Sequence, residues 1–337
     1  MKRVISVLLC VLIAVSCACV GFAAESYDSF GRYEHVFIIG IDGAGAAFGI
    51  CDTPNFDRIF ADNAYRHDAQ TEVVTVSAQN WGSILTGVDY ATHGFTNDSA
   101  SKTQRGSDSS NNSIFYYARK AFPDALLSSY CNWSAINHGI IENDLHVRKV
   151  NRKSDALVTE AITHDIAFGR VPKLMFVQFD EVDHAAHSHG GFSDEYYAAV
   201  VNADKYLGEV YDAIDAKGLM KDSLFIVVAD HGETTNGHGG TTKEESSAIL
   251  AVAGHSVNQT VLAEGVHNRD VSAIALYALG IEQPAHFISS VPADLFGASR
   301  EKTTASNPMP AQEKFWCDLA YFFLRFINLV CSPFDKR

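Results

Sequence analysis

The stretch DEVDHAAHSHGG, residues 180–191, sets three acidic groups and three histidines into twelve residues. Asp180 and His184 are four apart, and so are Asp183 and His187. Either pair would share one face of a helix. A carboxylate and an imidazole so placed offer two ligands to a divalent metal. The segment alone does not choose between the pairs, and the remaining ligands must come from elsewhere in the chain.

Candidates stand at the ends of other apolar runs. HVFIIGIDGAG ends in Asp42, and LFIVVADHGETTNGHGG ends in Asp230 and His231, with His238 in a second glycine-rich turn. Unpaired buried charge is expensive, so adjacent Asp and His at the end of a buried strand need a partner. Three strand ends carrying Asp or His point to one metal site. The mixture of carboxylate and imidazole suits zinc better than manganese or iron. In TEVVTVSAQNWGSILTG, Ser77 sits where an extended run turns into a helical pattern. There it either caps the helix or, activated by a metal, acts as a nucleophile.

The elements that must position these groups can be read from the apolar pattern. Candidate buried strands are 35–41, 125–130, 173–179, 224–229 and 248–253. Candidate helices are 54–64, 77–85, 113–121, 154–168, 194–217 and 270–279. Short apolar strands alternating with helices predict an α/β fold, a three-layer αβα sandwich around a mainly parallel sheet. Ligands in such sheets gather at the carboxyl ends of the strands. Residues 97–112, NDSASKTQRGSDSSNN, read as a polar loop.

With these residues in order, the chain resembles the alkaline phosphatase superfamily, and within it the type I phosphodiesterase/nucleotide pyrophosphatase branch. The resemblance rests on IDG at 41–43, Ser77 followed by Asn80, D-x-x-x-H-x-x-G at 183–190, ADHG at 229–232 and GHGG at 237–240. It covers about residues 36–296 and implies an alkaline-phosphatase-like fold. It also implies two zinc ions, with Mn2+ or another divalent metal as substitutes. One ion would be held by Asp183, His187 and His238, the other by Asp42, Ser77, Asp230 and His231. The glycine three residues after the ligand histidine selects His187, which has Gly190 there. Asp180 and His184 then become neighbours of the site, and His189 a rim residue.

The resemblance further implies Ser77 as nucleophile and Asn80 as the contact to a phosphoryl oxygen. Ser77 and Gln79 stand where the diesterase branch has threonine and proline. Serine is the nucleophile of the phosphatase branch, yet no arginine is placed as in the monoesterases. The sulfatase signature C/S-x-P-x-R is absent after Ser77. The expected function is hydrolysis of a phosphodiester or pyrophosphate bond through a phosphoseryl intermediate. The alternatives are a phosphomonoesterase or phosphoryl transferase on the same scaffold, and, less well supported, a metal-stabilised binding protein without turnover. Trp133 and Asn137 are candidates for the wall of the substrate pocket, and His93-Gly94 reads as a structural turn.

The remaining features concern location and partners. The 337 residues carry a net charge of −14, which argues against groove-bound or sequence-specific nucleic acid. Residues 1–23 read as a secretory signal: Lys2 and Arg3, an apolar run, then the small-x-small triplet Gly21-Phe22-Ala23. Three of the seven cysteines lie in that leader, and the four others are too sparse for a disulfide framework. The catalytic domain is expected over 24–299. Residues 300–337 read as a polar linker and an apolar amphipathic helix, 315–334, suited to a membrane surface. A secreted or membrane-surface location follows.

Overall fold

The structure, a computed structural model, describes residues 29–297. The expected signal and the C-terminal linker and helix lie outside these residues.

An eight-stranded sheet forms the middle layer. Its strands are β1 (His35–Ile41), β2 (Ala64–Gln70), β3 (Leu127–Cys131), β4 (Arg148–Asn151), β5 (Leu174–Phe179), β6 (Ser223–Val228), β7 (Ser247–Ala253) and β8 (Thr260–Val261). They lie in the order β4-β3-β5-β1-β6-β7-β2-β8. β7 runs antiparallel to β6 and β2, and the other pairings are parallel. The helices are α1 (Pro54–Phe60), α2 (Ser77–Thr86), α3 (Tyr90–His93), α4 (Asn97–Lys102), α5 (Ile114–Ala121), α6 (Asp155–Ala167), α7 (Glu181–His189), α8 (Asp194–Asp215) and α9 (Asp270–Ala278).

Strand residues alternate between two cores, because successive side chains point to opposite faces. Val36 and Ile38 join Trp81, Ile84, Phe115 and Ile274, so α2, α5 and α9 cover one face. Phe37, Ile39 and Ile41 join Phe56, Ile162 and Leu207, so α1, α6 and α8 cover the other. β1, β5 and β6 are consequently buried on both faces, which explains their unbroken apolar sequence.

Register decides where the chemistry lies. Ile41 pairs with Phe179 and Gly40 with Val228. Asp42 therefore emerges level with Asp180 on one side and Asp230 on the other. Gly40 also makes room for Trp81: a methyl there would lie 2.5 Å from the indole.

Two expectations are corrected. The helix from Pro54 stops at Phe60, and Ala64 already belongs to β2, whose polar AYRHDAQ pattern hides a strand paired with β7. Residues 97–112 are not loop throughout, because Thr96 and Ser99 form a capping box that starts α4. Strands β4 and β8 are short and at the sheet edges, and carry too few apolar residues to be read from sequence. Cys51 and Cys131 are free thiols.

Candidate active site

Asp42, just beyond β1, is held by two donors on the same oxygen. Trp81 Nε1 and Gln178 Nε2 donate to its Oδ2 at 2.8 and 2.9 Å. Asp230, just beyond β6, accepts Gly43 N on its Oδ1 at 3.0 Å. In each case one carboxylate oxygen is fixed and the other, Asp42 Oδ1 or Asp230 Oδ2, is buried with no donor. Asp183 Oδ1 is a third buried oxygen without a donor.

These free oxygens converge with imidazole nitrogens. His231 Nε2 lies 3.2 Å from Asp230 Oδ2, 3.5 Å from Asp42 Oδ1 and 3.4 Å from Ser77 Oγ. His238 Nε2 lies 3.3 Å from Asp183 Oδ1 and 3.1 Å from His187 Nε2. His187 Nε2 lies 3.4 Å from Asp183 Oδ2. Zinc–ligand bonds of about 2.0–2.1 Å in a tetrahedron put neighbouring ligand atoms about 3.3 Å apart. Both groups thus have the donor types and the spacing of a metal shell, and the buried oxygens without donors are those a cation would satisfy. The rings of His231 and His238 stack at 3.8 Å between centroids, which places the groups side by side.

The electrostatics agree. Burial, together with Asp230, Asp183 and Asp180, holds the Asp42 carboxyl well above its ordinary range. Burial, with Asp183 nearby, does the same to Asp230. Burial, then His238, holds His231 well below the ordinary imidazole range, so the ring is neutral and its lone pair free. Protons compete for these sites when no cation is bound. The second nitrogen of each buried imidazole has a backbone oxygen beside it: Gly232 O at 3.1 Å from His231 Nδ1 and Thr75 O at 2.5 Å from His238 Nδ1. Such contacts fix the tautomer that leaves Nε2 for a metal.

Ser77 is the first residue of α2, and the preceding Val76 has no side chain that can cap the helix. Asn97, twenty residues on, supplies the cap, accepting Ala78 N on its Oδ1 at 2.9 Å. Ser77 Oγ is thereby left to face His231. The cavity above it, about 270 Å³, is lined by Asp42, Ser77, Asn97, Trp133, Asp183, His187 and His238, among others.

Asn80 does not reach that cavity, contrary to expectation. It is fully buried, and its Oδ1 accepts from Glu72 N at 2.9 Å and Asn268 Nδ2 at 3.2 Å on the far side of α2. Asn97 occupies the place expected of Asn80. With its oxygen engaged by Ala78, its amide N–H groups are the ones left for a ligand. Its signal was the Thr96 and Ser99 capping pattern after the His93-Gly94 turn. His93 fastens that turn, its Nε2 lying 3.0 Å from both Gln79 O and Ser83 Oγ.

Within the opening segment, α7 carries Asp183 and His187 toward His238, while His184 and His189 are exposed on its outer side. Asp180 lines the cavity and accepts Gln178 Nε2 at 2.7 Å. Glu233 was not anticipated. It is buried beside Asp183, His231 and His238, close enough for one ion to touch all four. Burial, then Asp183, pushes its carboxyl up to about 10.

Comparison with known proteins gives the family and the fold. The sequence matches the profile of the type I phosphodiesterase / nucleotide pyrophosphatase family over residues 36–304. A human relative, GPI ethanolamine phosphate transferase 3, catalytic subunit, is 28% identical over 141 residues, 40% of this chain but only 12% of its own length. The corresponding transferase 1 of Candida glabrata is 26% identical over 36% of this chain and 16% of its own. The chain thus spans a small fraction of these relatives. Among solved structures, murine ectonucleotide pyrophosphatase / phosphodiesterase 5, an inactive form in complex with AMP, shares the fold with a TM-score of 0.62. Its identity is 13%, over 75% of this chain and 96% of that one. The lipoteichoic acid synthase of Listeria monocytogenes aligns with a TM-score of 0.59 at 12% identity, over 93% and 96%. The chain belongs to the type I phosphodiesterase / nucleotide pyrophosphatase family, metal-dependent enzymes of the alkaline phosphatase superfamily that act on phosphoester bonds.

Proposed function

We propose that this enzyme is a two-zinc phosphohydrolase that cleaves a phosphodiester or pyrophosphate bond through a phosphoseryl intermediate. The observation that carries the reading is the approach of Asp42 Oδ1, Asp230 Oδ2 and Ser77 Oγ to His231 Nε2 at 3.2–3.5 Å. Asp42, Ser77, Asp230 and His231 would hold one ion, and Asp183, His187 and His238 the other. Bound ions would lower the pKa of the serine hydroxyl and stabilise negative charge on the attacking and leaving oxygens.

Ser77 Oγ, at the positive end of the α2 dipole, attacks phosphorus and forms an O–P bond. The bond to the leaving oxygen breaks on the opposite side, in line, and the proton given up by the Ser77 hydroxyl ends, by way of solvent, on that oxygen. The Asn97 amide donates to a phosphoryl oxygen as charge builds there. Water then cleaves the Ser77–phosphorus bond and restores the hydroxyl.

A second cavity, about 350 Å³, abuts the first across Trp133 and is lined by Asn137, His138, Lys149 and Asn151, among others. It gives room for the group esterified to phosphorus. Its polar lining and the Trp133 face suit a hydroxyl-bearing ring system, consistent with the nucleotide bound by the murine fold relative. The same cavity and the names of the two transferase relatives favour a second reading, transfer of the phosphoryl group to an acceptor alcohol. A screen of nitrophenyl mono- and diesters with added zinc tests the first reading, with Ser77→Ala as control. Diester turnover abolished by the substitution supports it, and monoester-only turnover sinks it. Products that partition to an added alcohol favour transfer.

The location proposed for the mature protein is extracytoplasmic, at a membrane surface. Among the described residues no helix is long and apolar enough to cross a membrane. The apolar stretch 315–334 is the element proposed to make the contact. Loss of liposome binding on truncation at Ser299 would support that role, and unchanged binding would end it.

A further inference from the structure

Glu233 follows His231 by two residues in the turn after β6 and is 1% exposed. Its hydrogen-bonding neighbour among the described residues is the Asp183 carboxyl, an acid that can donate only when protonated. Its one ion-pair contact among the described residues is to His231 Nδ1, at 3.9 Å. That nitrogen already has Gly232 O at 3.1 Å. The hydroxyl of Tyr196 donates elsewhere, to Gly43 O and Ala44 O at 2.9 and 3.2 Å. Two acids packed together in the interior must share a proton or have a cation against them, because a bare pair of buried carboxylates is strongly unfavourable.

The fold makes room for it. Gly43 has φ +67°, and a methyl there would sit 2.9 Å from Asp183 and 3.0 Å from Glu233 Oε1. The Glu233 carboxylate shares one group with the ligand atoms of Asp183, His231 and His238, all within 4.8 Å of one another. Asp183 contributes a second oxygen without a donor to the same space. The glutamate thus backs the Asp183, His187 and His238 group from the interior, whereas His187 is more than half exposed at the cavity mouth.

We propose that Glu233 belongs to the coordination sphere of the ion held by Asp183, His187 and His238, as a fourth protein ligand supplied from beneath the site. The inference rests on the two-metal reading above. Two carboxylates and two imidazoles make a more oxygen-rich and more negative shell than one carboxylate and two imidazoles. Such a shell binds a dication more tightly and admits Mn2+ alongside Zn2+.

The test is metal binding to the mature protein by competition with a chromogenic chelator, without substrate. Glu233→Gln keeps the shape and removes the charge. It should weaken one of two zinc ions by at least about tenfold and leave the other within about twofold. Glu233→Asp, which keeps the charge on a shorter arm, should fall between. A wild type that binds two ions and a Glu233→Gln protein that binds them equally well overturn this inference alone. A wild type that binds fewer than one ion overturns the two-metal reading and this inference with it. If neither variant folds, anomalous scattering from zinc-loaded wild-type crystals decides. A Glu233 oxygen about 2.0–2.2 Å from the ion supports the assignment, and a carboxylate that touches only Asp183 overturns it.

Discussion

Gln178 donates its Nε2 to Asp42 Oδ2 at 2.9 Å, from a fully buried position near the end of β5. The same amide accepts Trp133 N on its Oε1 at 2.8 Å. One side chain therefore fastens a candidate metal ligand to the wall between the two cavities. Gln178→Leu should lower metal affinity by about 10–100-fold, as loss of a partner that orients a ligand does. It should also raise KM by freeing Trp133. Chelator competition and steady-state kinetics check both, and an unchanged KM with weakened metal would separate Trp133 from this linkage.

The register of α7 gives a second contrast. His187 Nε2 lies 3.1 Å from His238 Nε2, while His184 is exposed on the outer side of α7. His187→Ala should lose one of two bound ions, measured by elemental analysis after gentle desalting. His184→Ala should retain both. The reverse pattern would show that Asp180 and His184 form the pair that binds.

Much of this site was legible because buried strands end in residues that water would otherwise have to solvate. Asp42, Asp230 and His231 each follow an apolar run, and their positions follow from strand register. Asn97 was not legible in the same way, because its place depends on the His93-Gly94 turn and on α4 folding back over the start of α2. Glu233 was hidden for a different reason. A glutamate in a glycine-rich turn reads as solvated, and only the packing of Asp183 and Gly43 over it shows that it is buried. The strand β2 was missed because AYRHDAQ, one strand in from the sheet edge, carries Arg66, His67, Asp68 and Gln70 and so lacks the apolar run of the central strands.

Metal and protons should compete across a wide pH range. In the metal-free protein Asp42 and Asp230 are held well above the ordinary carboxylate range, and Glu233 at about 10. Raised carboxylates bind protons more tightly when folded than when unfolded. Their contribution is fully present below the unfolded pKa of about 4 and is lost as pH rises through the folded values. The metal-free melting temperature should therefore be lower at about pH 8 than at about pH 5. The rise in melting temperature on adding zinc should be larger at the higher pH, because binding displaces protons. A zinc-induced rise that shrinks with increasing pH would contradict the assignment of these carboxylates to the site.

The two asparagines near the nucleophile should separate stability from catalysis. Asn80 Oδ1 accepts Glu72 N and Asn268 Nδ2 in the interior. Asn80→Ala leaves those donors unpaired and should destabilise the protein by about 1–3 kcal/mol, with kcat per folded molecule little changed. Asn97 borders the cavity and caps Ala78 N. Asn97→Ala should cost about 1 kcal/mol as a lost cap, and should lower kcat by about 10²–10³-fold if its amide meets the developing phosphoryl charge. Asn97→Asp is the sharper variant. It keeps an oxygen for Ala78 N but replaces the donor with negative charge beside the phosphoryl group. Its stability should stay near wild type while its kcat falls at least as far as that of Asn97→Ala. If Asn97→Asp retains full activity, the amide makes no contact with the reacting group, and Asn97 serves α2 alone.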